Sequence, residues 1–375
     1  MSDLRMAEAR MADSISRRRP RAERGVLARI LALAYLVVIA YTSLQPFRGW
    51  WIPPEEIRTF LSAPWPRYIT LEDVLVNIAA YVPLGFLLAR SYMAKLGMRR
   101  AVLVAAGLAL LTSVAMECIQ MFMPARIASN VDVLTNGLGG LIGALASPLF
   151  APTRVLGMRL ERLRQQWFAY GLSADVGLVL VCIWLVTQLH PNAQLFGTGN
   201  LRDTFDLPLL MIHTPQLLVA TEAAVAGLNM LGVGLILYAL TRDNVPRGLA
   251  VTAVLAAGFA GKALAAFTFA KGAPPLAWVT PGVLIGVLVG AVVLYGLTHL
   301  PRRVQWLAAG LSFAAATAVI NIAPENPYQT LPPQLLTGGP THILSFSGIV
   351  RALSELWPLV AVIYTVTVAG KRPAA

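Results

Sequence analysis

Among the polar side chains between positions 70 and 143, seven could form one chemical group: Asp73, Asn77, Glu117, Gln120, Arg126, Asp132 and Asn136. Asp73 and Asn77 are four residues apart, as are Asp132 and Asn136, and Glu117 and Gln120 are three apart, so on helices each pair shares a face. Three carboxylates, one guanidinium and three amides can hold a cation, grip the head group of an amphiphile, or assist a proton transfer. Within a membrane a charge is costly and faces a partner or a cavity. Arg126 counters one acid but not three, so the remaining acids share protons or meet a cation or solvent. Two readings follow. In one the set is a brace: Arg126 and the acids fix a turn, Asp132 caps the next helix, and the amides join neighbouring helices. In the other it lines a shallow site open to the periplasmic side or the outer leaflet.

Both readings require long apolar helices. Of 375 residues, 57% are hydrophobic and only 13% charged, with a mean hydropathy of +0.66. A soluble domain carries about 25% charged residues. The expected fold class is therefore all-α, a polytopic transmembrane bundle. Apolar runs mark ten spans, with eight to ten as the range: 27–45, 70–90, 101–123, 132–150, 173–190, 215–240, 249–270, 279–298, 303–323 and 353–370. Small residues recur every four positions in the fourth, as Gly139, Gly143 and Ser147 and as Asn136, Gly140 and Ala144. Such rows allow close helix approach, so this span should lie buried in the bundle.

The formal charge of +12 would suggest nucleic acid in a soluble chain, but here the basic residues punctuate the apolar runs. With ten spans and a cytoplasmic N-terminus, 22 Lys and Arg fall on the inner side, counting Arg29 there, and 7 on the outer side. That bias predicts cytoplasmic termini and a retained first helix rather than a cleaved signal. It also puts the six polar residues carried by the spans in the outer half of the membrane. Outer segments then include 46–69, where Trp50, Trp51, Trp65 and Tyr68 suit the interfacial belt and 54–62 suits an amphipathic surface helix. The inner segment 151–172 contains RLERLRQQWF, suited to a helix lying on anionic lipid.

Other chemistry is sparse. Cys118 and Cys182 sit in apolar runs and make no disulfide framework. His190, His213, His299 and His342 lack metal-ligand spacing, although His213 lies near Asp203 and Asp206, and His342 near Glu325 and Arg351. Ser345 and Ser347 lack a nucleophile-elbow context, and the Gly pairs at 139–140 and 338–339 form no phosphate loop. No cofactor or metal is expected. Lys262 within the seventh span, with Glu222 and Asp175, keeps a transporter open as an alternative, although no inverted repeat is visible.

The stretches EDVLVNIAAYVPLGFLLA and MECIQMFMPARIASNVDVLTNGLGGLIGA resemble the VanZ-like membrane family. The matching residues are Asp73, Asn77, Pro83, Leu84 and Gly85, then Glu117, Gln120, Arg126, Ser129, Asp132, Asn136 and Gly137. The later SFSGIVRALSELWPLVAV looks like the extended proteobacterial members. The resemblance implies an envelope protein of the inner membrane, related to one linked with resistance to glycopeptides, especially teicoplanin. The expected organisation is a basic tail over 1–26, a four-helix VanZ-like domain over 27–150, a linker over 151–172 and a membrane domain of about six helices over 173–375. The leading function is recognition of a membrane lipid or lipid-linked envelope precursor through the seven polar residues. A transporter and an enzyme acting on a lipid-linked substrate are the alternatives. No nucleic-acid partner is expected, and the sequence names no protein partner.

Overall fold

The structure is a computed structural model that describes residues 26–44, 49–53, 60–65, 69–124, 126–151, 154–189, 195–196, 199–202, 214–269, 276, 278–323 and 343–371. The described residues form eleven α-helices and no β-strand, with one isolated antiparallel bridge between Phe168 and Thr241. The chain divides into two compact units, Met1–Arg164 with Leu344–Ile349, and Gln165–Ile343 with Val350–Ala375.

In the first unit, α1 is Val26–Leu44, α2 Leu71–Leu96, α3 Met98–Gln120 and α4 Asn130–Ala146, which continues as a 3₁₀ turn, Ser147–Phe150. Gly97 alone separates α2 from α3, at φ +75°, a left-handed conformation that favours glycine. The densest pairing is α2 with α4, followed by α3 with α4 and α2 with α3. The small residues of α4 explain it. Gly139 lies on the carbonyl of Ile78 and Gly143 on that of Val82, both in α2. Gly140 faces Ala109 of α3 and Gly85 of α2. One row serves α2, and the second reaches both α2 and α3, which draws the backbones together. Pro83 sits within α2, which runs on through it. Tyr35 Oη of α1 donates to Ala80 O of α2 at 2.8 Å. The helix α5, Val155–Trp167, follows.

In the second unit, α6 is Leu172–Thr187, α7 Pro215–Leu240, α8 Arg247–Phe269, α9 Pro281–Thr298, α10 Arg302–Ile322 and α11 Ile343–Gly370. The helix α7 is central and packs on α9, α10, α8 and α6. Around it lies an aromatic core in which Trp184 stacks on Phe196 at 5.3 Å and Phe313 meets Trp357 edge-on at 5.0 Å.

Among the described residues nine helices are long and apolar enough to cross a membrane. Their outward faces are apolar: on α9, Leu288 is 67% and Val292 74% exposed. Water would not tolerate that surface and lipid would, so this is a multi-pass membrane protein. Nine of the expected spans correspond to these helices. The fifth, expected over 173–190, is the 16-residue α6. At 1.5 Å per residue that is about 24 Å, short of a hydrocarbon core of about 30 Å. The shortening has a local cause. Gln188 donates to Trp184 O at 3.3 Å and accepts from Phe196 N at 3.1 Å, turning the chain back onto the helix it leaves. Much of the expected surface helix at 54–62 lies outside the described residues, and its end, Phe60–Ser62, is a 3₁₀ turn. Tyr68, His190, His213 and His342 also lie outside them, as do Asp203, Asp206, Glu325 and the side chains of Ser345, Ser347 and Arg351.

Candidate functional site

The helices α2 and α4 begin the same way, with a hydroxyl residue followed three positions later by an aspartate. Thr70 is the N-cap of α2: its Oγ1 accepts from Asp73 N at 3.2 Å and donates to Asp73 Oδ2 at 2.8 Å. Ser129 is the N-cap of α4, with extended backbone, and its Oγ accepts from Asp132 N at 3.4 Å. The expectation that Asp132 itself caps α4 is thus corrected. A cap precedes the first helical turn, whereas Asp132 lies within that turn. Its carboxylate is thereby available to a neighbouring helix. Asn77 Nδ2 donates to Asp132 Oδ1 at 2.9 Å, joining α2 to α4, and Asp73 lies close enough to Asp132 to repel it electrostatically.

The C-terminal end of α3 completes the group. Glu117 Oε2 accepts from the backbone N–H of Ser129 at 2.9 Å, tying α3 to the cap of α4. Glu117 is 4% exposed and within electrostatic reach of both Asp132 and Arg126. Arg126 donates from Nη2 to Thr42 O at 3.1 Å, and Gln120 donates from Nε2 to Ser43 O at 2.9 Å. These two bonds fasten the end of α1 against the α3–α4 turn. Partial burial pulls the pKa of the Arg126 guanidinium down, and the Glu117 charge opposes that shift.

Counting 1.5 Å per residue from the helix ends puts all three carboxylates within about 5 Å of one end of the four-helix unit. Asn136 lies one turn deeper, buried, and donates from Nδ2 to Ser113 Oγ at 3.0 Å. Asp73, Asn77, Gln120, Arg126 and Asp132 are partly exposed, so the cluster has an accessible rim and a buried floor. Two further segments border it. Trp51 donates from N to Phe122 O at 3.0 Å and from Nε1 to Met121 O at 3.2 Å, while Asn130 Nδ2 donates to Ala63 O at 2.7 Å. Around this end Trp50, Trp65 and Ile127 are exposed at 53%, 67% and 88%.

All seven sequence-selected residues therefore belong to one end of one helical unit. Sequence reasoning missed Thr70, Tyr81 and Ser113. A signal existed for each. Thr70-x-x-Asp73 and Ser129-x-x-Asp132 are helix-start patterns. Tyr81 follows Asn77 by four residues, and Ser113 precedes Glu117 by four, so each continues a polar row already identified. The second unit buries Asp175, Glu222, Lys262 and Glu355. Glu222 Oε2 accepts from Thr280 Oγ1 at 2.6 Å. Among the described residues no group of histidines, cysteines and acids has the arrangement of a metal site.

Comparison with curated proteins and with solved structures gives no match. Residues 26–151, about a third of the chain, match the VanZ/LLP1 family model. That stretch covers α1 to α4 and the whole polar cluster, and it is a VanZ-like domain carried by a longer multi-pass membrane protein.

Proposed function

We propose that the polar end of the VanZ-like domain binds the head group of a membrane lipid or lipid-linked envelope precursor. One observation carries the reading. Three helices converge their carboxylates and amides at a partly exposed end of a unit whose membrane helices have apolar outer faces, beside exposed Trp50 and Trp65. An amphiphile meets both needs there, its polar head at the cluster and its tail against the apolar helix faces. The test compares wild type with Glu117→Gln, which keeps an acceptor for Ser129 N–H and removes the ionisable carboxyl. Lipid that copurifies in mild detergent is identified by mass spectrometry. A lipid class enriched with wild type and depleted from a folded variant is the expected result; identical lipid content in both refutes the reading.

The Lys and Arg bias supports assigning this end to the periplasmic side of an inner membrane. With Cys118 and Cys182 replaced by serine, Ala128→Cys should react with an impermeant maleimide added from outside. Gln165→Cys should react only after lysis, and the opposite pattern overturns the assignment. Glycopeptide sensitivity enters this reading as a phenotype: loss of the domain should change growth inhibition by teicoplanin, and unchanged inhibition removes that part.

A further inference from the structure

Below the carboxylates lies a second polar group with unmet hydrogen-bonding capacity. Asn136 of α4, Ser113 of α3 and Tyr81 of α2 are 6%, 0% and 4% exposed. Asn136 Nδ2 spends one hydrogen on Ser113 Oγ at 3.0 Å. The Asn136 Oδ1 and Tyr81 Oη atoms are buried without a hydrogen-bond partner among the described residues. Tyr81 interacts with Ser113 and lies within electrostatic reach of Glu117 and Asp132, but its hydroxyl makes no well-formed bond to the serine. Buried polar groups are nearly always paired, so two such atoms converging on one serine from different helices require an explanation. Turning the amide over only exchanges an unmet acceptor for an unmet donor. Ser113 Oγ has lone pairs for Asn136 Nδ2 and for Tyr81, yet the Tyr81 hydroxyl stands outside bonding geometry and Asn136 Oδ1 has no donor.

We propose that Tyr81, Ser113 and Asn136 bind one hydroxyl group, which accepts a hydrogen bond from Tyr81 and donates one to Asn136. The pairing selects the chemistry. An ammonium cannot accept from the phenol, and an ionised carboxylate or phosphodiester cannot donate to the amide oxygen. A hydroxyl does both, whether it belongs to an enclosed water molecule or to an alcohol on a lipid head group. The second source rests on the head-group reading above; the first does not. Ser113 and Glu117 share a face of α3, four residues and about 6 Å apart along the axis, which sets this group directly beneath the carboxylates.

Tyr81→Phe removes only the hydroxyl and tests the proposal by the sign of its effect. Deleting an unpartnered buried hydroxyl leaves stability unchanged or raises it, whereas deleting a hydrogen-bonded one lowers it. Thermal midpoints of wild type and variant are compared in lipid-free detergent, in vesicles of phosphatidylglycerol, whose head group bears hydroxyls, and in vesicles of phosphatidylcholine, whose head group bears none. A midpoint lowered by several degrees in all three, and lowered equally when Ser113 is first replaced by alanine, identifies an enclosed water. Lowering only with phosphatidylglycerol identifies a head-group alcohol. A midpoint equal to or above wild type in every case overturns the proposal, whatever the lipid analysis of Glu117→Gln finds. Failure of this near-isosteric variant to fold is the extreme of the expected loss, since an unpartnered hydroxyl is removed without cost.

Discussion

Adding a single methyl to α4 tests whether glycine packing holds the polar cluster together. In Gly143→Ala the new Cβ lands on the carbonyl oxygen of Val82, with Val82 C at 2.8 Å and Phe86 N at 2.9 Å. All three are backbone atoms of α2, so no side-chain rotation relieves the overlap. Overpacking of this kind costs about 1–3 kcal/mol, while replacing a helical glycine with alanine recovers up to about 1 kcal/mol. A net loss of about 1–2 kcal/mol is expected. Gly107, exposed on α3, is the control, because an added Cβ there meets nothing within 4 Å. Gly107→Ala keeps the propensity gain without the overlap, so it should be neutral or stabilising by up to about 1 kcal/mol. Reversible unfolding of both variants in mixed micelles, followed by circular dichroism, reads the difference. If Gly143→Ala is as stable as Gly107→Ala, the close approach of α2 and α4 is not what secures the unit. The same displacement should weaken the Asn77–Asp132 bond, which spans 2.9 Å between those helices.

The Asn77–Asp132 bond should give a coupling of about 1–3 kcal/mol in a double-mutant cycle with Asn77→Ala and Asp132→Ala, measured by unfolding; additive losses would show that the pair is not coupled. Ser129→Ala should cost about 1 kcal/mol in the same unfolding assay, because it removes the cap of α4 and leaves the backbone N–H on which Glu117 rests. In the second unit Arg202, 6% exposed, donates through Nη2 to Ile320 O and Ala323 O at the end of α10. Arg202→Leu leaves those carbonyls without this donor and should lower stability by about 2 kcal/mol or more, read as a reduced thermal midpoint.

Much of the helical architecture was legible in the chain because a membrane span requires about twenty apolar residues in succession. The run 215–240 coincides with α7, and the alternating small residues of α4 do face the close contacts they suggested. The boundary of α6 was not legible. No glycine or proline interrupts the chain between Gly177 and Pro191, and the helix stops where Gln188 meets Phe196 through a contact the linear hydropathy does not contain. At the polar end, spacing established that Asp73 and Asn77 share one face and Asp132 and Asn136 another, since helix geometry makes neighbours three or four apart predictable. Only the tertiary structure decided which faces meet: Asn77 with Asp132, Glu117 with the cap of α4, Gln120 and Arg126 with the end of α1. It also decided that Tyr81 and Ser113 join Asn136 in the buried floor. Those partnerships depend on the rotation of each helix about its own axis. That rotation is set by how closely Gly139, Gly140 and Gly143 let three backbones approach, a property of three surfaces together rather than of any one segment.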